Sequence, residues 1–356
     1  MTNVDEEINS KRSELRSERL DMSFGEIIRM YIDREILIDP DYQRLFRWNL
    51  SKRTYFIESL LLNLPIPPIF IAENDENQWE VVDGLQRIST ILSFCNVLKM
   101  PDNDKPHSEN GWELEKGDLI ENLEGLSYDH LSRDSQFLIK RYICRMEVLK
   151  SDSKIDMRYE LFKRLNTGGT TLTDQEIRNC IFRGESTKFN KFLNEKGNEQ
   201  AFIDLIDPTP KKKQEKYLEE LVLRFCSLYN NADNINHNIS EHMTDFMKYN
   251  IKNYNKIDEL RVIWEKLIKI ISPLGRDIFR AKSNGYFSTA IYDGIMVGIA
   301  QNLEKYEKDS SGLKEKIELY TDKAENKGFI GSQSHNKNTI KNRLLLADAI
   351  FKDSHG

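Results

Sequence analysis

The sequence predicts an α+β fold, a mixed N-terminal domain followed by an all-helical C-terminal one. Three observations lead there. Between Ser23 and Leu149, helix-period apolar runs alternate with short strand-like runs. Beyond residue 184 only helical periodicity remains. Turn-forming residues mark the points where the period changes, as in PIPP at 65–68 and Asp83-Gly84. The 356 residues suit about two domains at roughly 150 each.

Each element follows from its residues. Residues 1–19 alternate in charge and hold few apolar side chains, which predicts a polar arm or helical lead. SFGEIIRMYIDREI reads as a helix capped by Ser23, with Glu26 three residues on and Ile27, Ile28, Tyr31 and Ile32 at helical spacing. Residues 36–38 form a short strand running into Pro40. SKRTYFIESLLLNL is a second helix whose Phe56, Ile57, Leu60, Leu61 and Leu64 face the core. Prolines end it, 69–72 is a strand, 74–77 a turn, and 78–82 the partner strand. A helix starts just after Asp83-Gly84 and carries Ile88, Ile91, Leu92 and Phe94. Residues 100–127, rich in Asp, Asn, Gly and Pro, read as an insertion. Partial alternation over 137–149 predicts a strand, and 158–165 a helix that Asn166, Thr167, Gly168 and Gly169 break. LTDQEIRNCIF opens the next helix. Further helices are predicted over 216–228, 241–249, 257–271, 289–302 and 338–351. The predicted division is an arm at 1–19, a mixed domain at 20–183 and a helical domain at 184–356.

Composition removes several function classes. The net charge is −6, and residues 1–200 hold 28 Lys+Arg against 36 Asp+Glu. No domain carries the Lys/Arg excess of a constitutive DNA binder. Cys95, Cys144, Cys180 and Cys226 lie far apart, so neither a zinc ribbon nor a disulfide framework is indicated. The N-terminus lacks the apolar run of a signal peptide, and the apolar stretch 287–300 is short and interrupted by Asp293. The expectation is a soluble cytoplasmic protein with no membrane partner. The histidines, at 107, 130, 237, 242, 335 and 355, form no metallohydrolase pattern, and no GxSxG occurs. His335-Asn336 reads as loop. KKKQEK at 211–216 reads as a solvated helix start within reach of a nucleic-acid backbone.

Three constellations carry chemistry. In VVDGLQR a strand meets a helix at Asp83-Gly84, so the first-turn N–H groups and the helix dipole favour an anion there. Gly84 admits close backbone approach, Arg87 offers a fork for phosphate, Gln86 reaches a base, a ribose or a water, and Asp83 caps the helix or holds a metal ion. An ordinary strand–turn–helix with a surface arginine has the same spacing. In YQRLFRW, Arg44 and Arg47 flank Tyr42, Phe46 and Trp48, a set that stacks on a base and grips a phosphate, or else plugs the core. In LFKRLNTGGTTLTDQEIRN, Arg164 precedes adjacent glycines able to form a nest of N–H groups, and Thr173 with Glu176 makes a capping box. A glycine-closed helical hairpin would read alike. It is not a Walker A loop.

Taken in order, YQRLFRW, LPIPPIFI, VVDGLQR and FKRLNTGGTTLTDQEIRN resemble the N-terminal domain of GmrSD-type restriction endonucleases, the prokaryotic family known as domain of unknown function 262. The likeness covers roughly 20–185, with a weaker echo in GSQSHNKNTIKNRLLLADAIF. It implies a ParB/sulfiredoxin-like core that binds nucleotide phosphates at the strand-to-helix turn. Asp83, Gln86 and Arg87 would be catalytic. Tyr42, Gln43, Arg44, Arg47, Gly84, Arg164, Asn166, Thr167, Gly168 and Gly169 would hold the nucleotide, with Asp83 the ligand of a Mg²⁺ ion. Leu85 stands where the family has its first glutamine, which sets hydrolysis but not binding in question. The family implies NTP hydrolysis within anti-phage or restriction-type defence. The alternatives are a ParB-like nickase or endonuclease acting on foreign or modified DNA, and a non-catalytic nucleotide-sensing scaffold. The family's domain is often joined to an HNH nuclease domain, so the resemblance implies that, if this protein cuts DNA, a separate nuclease subunit supplies that chemistry or the ParB-like core does. Homodimerisation and DNA contact through the helical domain complete the expectations.

Overall fold

The computed structural model describes residues 3–38, 48–74, 76–100, 104–165, 173–182, 187–231, 235, 238–252, 256–331 and 336–352. They belong to two compact units, 1–171 and 172–356. The first is mixed α/β and the second helical.

Unit 1 runs α1 (Asn3–Ser13), β1 (Ser17–Ser23), α2 (Phe24–Ile32), β2 (Ile36–Leu37), α3 (Leu50–Leu61), β3 (Ile69–Glu73), β4 (Trp79–Asp83), α4 (Leu85–Phe94), α5 (Arg133–Arg141), β5 (Ile143–Leu149) and α6 (Ile155–Leu165). The sheet order is β1-β5-β3-β4-β2. β3 and β5 are parallel, as are β2 and β4, while β1 with β5 and β3 with β4 are antiparallel. Alternation decides the faces. Ile69, Ile71, Met146 and Val148 join Phe24, Ile27, Phe56, Ile57, Ile88 and Ile91 in one apolar core. On β1 and β5 the opposite positions form a charge ladder, Arg145 with Asp21 at 3.0 Å and Arg19 with Glu147 at 3.0 Å. Buried Glu58 accepts from the N–H groups of Leu119 and Ile120 at 2.8 and 2.7 Å, which ties the predicted insertion to α3.

Three expectations for this unit need correction. β1 lies where a polar arm was read, because SERLDMS is an edge strand with only Leu20 and Met22 to signal it. Residues 137–141 are helical, since Ser132 accepts from Ser135 N–H and starts α5 ahead of β5. Leu64 is exposed, lying beyond the end of α3 at Leu61. The Ser23 cap is present, accepting from Glu26 N–H at 3.2 Å.

Unit 2 consists of α7 (Asp174–Phe182), α8 (Thr187–Gly197), α9 (Gln200–Ile206), α10 (Pro210–Gln214), α11 (Tyr217–Asn231), α12 (Ile239–Lys252), α13 (Ile257–Ile271), α14 (Thr289–Ala300), α15 (Leu303–Lys308), α16 (Leu313–Asn326) and α17 (Lys337–Phe351). α14 is apolar on every side but for Asp293 and buried from Ala290 to Ala300, which makes it the central helix. Gly294 permits this packing, because a Cβ there would lie 1.9 Å from the Tyr320 hydroxyl on α16. Among the described residues no helix is long and apolar enough to cross a membrane.

His242 on α12 gives this unit a pH dependence. It is buried, and its Nε2–H donates to the Ser227 carbonyl at 3.2 Å. Burial pushes its pKa below the ordinary value of 6.5, against the opposing pull of that hydrogen bond and of Asp245. Above that value the ring is neutral in both states. As the pH falls through it, the unfolded chain takes up a proton that the folded chain resists, so stability is lost. Urea midpoints for unit 2 are expected to drop between about pH 7.5 and about pH 5.5, spanning the ordinary histidine range. The drop should be smaller in His242→Gln, and equal drops in the two proteins would reject this role for His242.

Candidate functional site

β4 ends at Asp83 because Gly84 turns the chain with φ +100 and ψ 7. A side chain at that position would place its Cβ 2.9 Å from Ile69 Cγ1 and 3.3 Å from Arg87 Nη2. α4 then begins at Leu85, and Ile88 N–H closes the first helical bond on the Gly84 carbonyl at 3.0 Å. Gly84 brings no side-chain acceptor, so the helix start has no side-chain cap. Leu85 packs into the core.

Arg87 was expected on a phosphate; in the structure its donors go to the protein itself. Its side chain is 9% exposed. Nη1 donates to the Pro68 carbonyl at 3.0 Å and to the Pro67 carbonyl, while Nη2 donates to Asp83 Oδ2 at 2.9 Å. Burial lowers its pKa from the ordinary arginine value, with Asp83 opposing. Cys144 lies in the same electrostatic neighbourhood, and burial pushes its thiol up to about 11, against the pull of Arg87. It is therefore a protonated core side chain at neutral pH.

The loop that Arg87 grips has a second clamp. Tyr142 Oη donates to the Leu64 carbonyl at 2.6 Å. The pairs Leu64-Pro65 and Pro67-Pro68 interrupt regular hydrogen bonding, so these carbonyls need donors from elsewhere. The prolines therefore do more than end a helix. They were the signal, within the sequence, that buried donors would be needed here.

Gln86 joins the turn to the first motif. Its Oε1 accepts from Trp48 N–H at 3.1 Å, and Arg53 Nε donates to the Trp48 carbonyl at 3.2 Å. The Trp48 ring stands edge-on to Phe56 at 5.6 Å. The last residue of YQRLFRW is thus fixed beside DGLQR. Tyr42, Gln43, Arg44 and Arg47 lie outside the described residues, as do Asn166, Thr167, Gly168 and Gly169. Arg164 sits near the end of α6 with Nε 3.6 Å from Glu160, its side chain largely exposed. At α7 the predicted capping box is present: Glu176 N–H donates to Thr173 Oγ1 at 3.2 Å and Thr173 N–H to Glu176 Oε2 at 2.8 Å.

The structure therefore gathers Asp83, Gly84, Gln86, Arg87 and Trp48. Asp83 is the exposed member, with 55% of its side chain open to solvent. Among the described residues no group of three His, Cys, Asp or Glu is placed to hold a metal ion.

Residues 24–183 match the family model described as GmrSD restriction endonuclease, N-terminal domain. The matched span takes in the Asp83 turn, the loop held by Arg87 and the capping box of α7. No curated protein and no solved structure matches the chain.

Proposed function

From the match of residues 24–183 to the GmrSD restriction endonuclease N-terminal domain, we propose that the chain is a nucleotide-binding, NTP-hydrolysing regulatory module of a restriction-type defence system. The observation that carries this reading is the Asp83–Gly84 turn, where a helix start without a side-chain cap stands beside an exposed carboxylate held by a buried arginine. Such a start accepts phosphate through its backbone donors and dipole. The run of β4 directly into α4 supports a ParB/sulfiredoxin-like core as part of the same proposal.

The roles divide by position. The backbone N–H groups of the α4 first turn meet the phosphate, and Arg44, Arg47 and Arg164 bring positive charge to the developing phosphoryl. Asn166, Thr167, Gly168 and Gly169 close the cradle, with Tyr42 and Gln43 on the nucleoside. Arg87, committed to Asp83 and the proline carbonyls, positions the carboxylate. Asp83 orients or deprotonates the attacking water, with Gln86 beside it. Asp83 has one oxygen on Arg87 and stands in solvent, a donor that fits Mg²⁺, which is usually bound by one or two carboxylates together with substrate phosphates. The bound ion would supply charge neutralisation at the phosphates. Leu85 packs inward, which supports keeping hydrolysis in the reading despite its departure from the family pattern.

A phosphate-release assay across the four NTPs with Mg²⁺ tests this. Wild type is expected to turn over at least one NTP, and Asp83→Asn to slow release by about 10²-fold or more while binding persists. Absence of both release and calorimetric binding in wild type discards the reading. Binding without release favours the sensing scaffold. Metal-dependent plasmid nicking that disappears in Asp83→Ala favours the nickase.

A further inference from the structure

Unit 1 neutralises most of its surface cations. Arg16, Arg19, Arg29, Arg34 and Arg145 each contact a carboxylate. α5 is different. Among the described residues, its Arg133, Lys140 and Arg141 form no ion pair with a carboxylate. All three are exposed, and Asp134 is the one acid on the helix.

Among the described residues, aromatic rings and not carboxylates hold these three cations. Arg133, Phe137 and Arg141 recur every four residues and so share one helix face. The guanidinium carbons of Arg133 and Arg141 lie 5.5 and 4.8 Å from the centroid of the Phe137 ring. Lys140 Nζ stands 5.7 Å from the Tyr128 ring. Cation–π contact restrains these side chains and leaves their outward N–H groups for another acceptor. Arg133 is also placed against the helix's own interest. It occupies the first helical position, where the dipole disfavours a cation, although the dipole does favour Lys140 and Arg141 in the last turn. Ile139 turns the opposite side of the helix into the core, so this face stays outward. Tyr142, the next residue, donates to the Leu64 carbonyl in the loop that Arg87 also clamps.

We propose that the Arg133–Phe137–Arg141 face of α5, with Lys140, docks the phosphate backbone of a nucleic-acid strand. A polyanion complements three cations that no described carboxylate pairs, within a chain of net charge −6, and the focused patch offsets the unfavourable total. Recognition here is sequence-independent, because the arginines lie on an aromatic ring and offer hydrogen-bond edges suited to phosphate oxygens. Unit 1, in place of the helical unit, becomes the expected site of DNA contact. The surface stands apart from nucleotide turnover at Asp83.

Fluorescence anisotropy of the full chain with a labelled duplex of arbitrary sequence, over a salt series, tests the surface. The triple variant Arg133→Ala/Lys140→Ala/Arg141→Ala is expected to lose about tenfold or more in affinity at low salt. Its salt slope should become shallower by about 2–3, at roughly 0.9 for each phosphate no longer neutralised. Circular dichroism establishes that the variant is folded; should it not be, Arg133→Ala alone is expected to shift the slope by about 1. Lys211→Ala/Lys213→Ala, which strips exposed lysines from unit 2, is expected to leave the slope unchanged. The proposal is overturned if wild type binds no duplex, if the α5 variants keep wild-type affinity and slope, or if only the Lys211/Lys213 variant loses binding. Equally effective displacement of the duplex by poly-glutamate at matched charge would assign the face to an acidic protein segment and overturn the nucleic-acid reading.

Discussion

Gly84→Ala is expected to destabilise unit 1 by roughly 2–5 kcal/mol and to abolish nucleotide binding at the Asp83 turn. Two costs combine. The first is conformational: φ is +100 at this residue, and an L side chain in the left-handed region costs about 1–2 kcal/mol. The second is steric. The new Cβ would meet Ile69 Cγ1 at 2.9 Å, and Ile69 is fully buried in β3 with no room to retreat. Overpacking of this kind costs about 1–3 kcal/mol. The same Cβ would stand 3.3 Å from Arg87 Nη2, the atom that holds Asp83. Relief of the clash therefore moves the carboxylate and the helix start together, and binding fails even where folding survives. Gly125→Ala separates the two costs, because Gly125 has φ +77 but a Cβ there would meet nothing within 4 Å. It should show the backbone cost alone. Equal urea midpoints for the two variants would remove the steric argument, and nucleotide titration by calorimetry reads the second half of the prediction.

The legible features of this chain are local ones. Ser23 with Glu26 and Thr173 with Glu176 state their caps within four residues, and Asp83-Gly84 marks the change from strand to helix within two. The features that escaped depend on distant partners. β1 is a strand because β5 pairs with it, and its own residues supply only two apolar positions. Residues 137–141 carry no local mark of the boundary, because Ile139 is buried in a strand or a helix alike and the apolar pattern passes through it. The Ser132 cap was the local signal that decided it. Arg87 shows the limit for the candidate site. Its residue type and position in the motif suggested a phosphate ligand, but the Pro67 and Pro68 carbonyls that take its donors lie some twenty residues upstream. In the helical unit, Asp293 read only as an interruption of an apolar run, while the reason for its presence lies on two other helices.

Those two helices make Asp293→Ala the most damaging single change expected in unit 2, at about 3–5 kcal/mol or more. Asp293 on α14 is fully buried. It accepts from Arg224 of α11 through Nε at 2.6 Å and Nη2 at 2.7 Å, and from Arg343 Nη2 of α17. Both arginines are buried as well. One carboxylate thus serves two guanidinium groups, so its removal takes from both buried cations the carboxylate they share. Removing an arginine has a different consequence. Arg343→Met takes away one buried cation and fills similar space with apolar atoms, while the two-point Arg224–Asp293 pairing stays intact. Replacement of buried ionic groups by apolar ones of like volume is often tolerated, so its cost should be much smaller. The double variant Asp293→Ala/Arg343→Met should recover part of the loss, since only one buried guanidinium, that of Arg224, is then deprived of the Asp293 carboxylate. Thermal and urea unfolding of the three variants orders them. If Arg343→Met proves as damaging as Asp293→Ala, packing of α17 and not charge balance governs this cluster. Recovery in the double variant would locate the cost in the charge that Asp293 balances, and show that a single carboxylate holds α11, α14 and α17 to one arrangement.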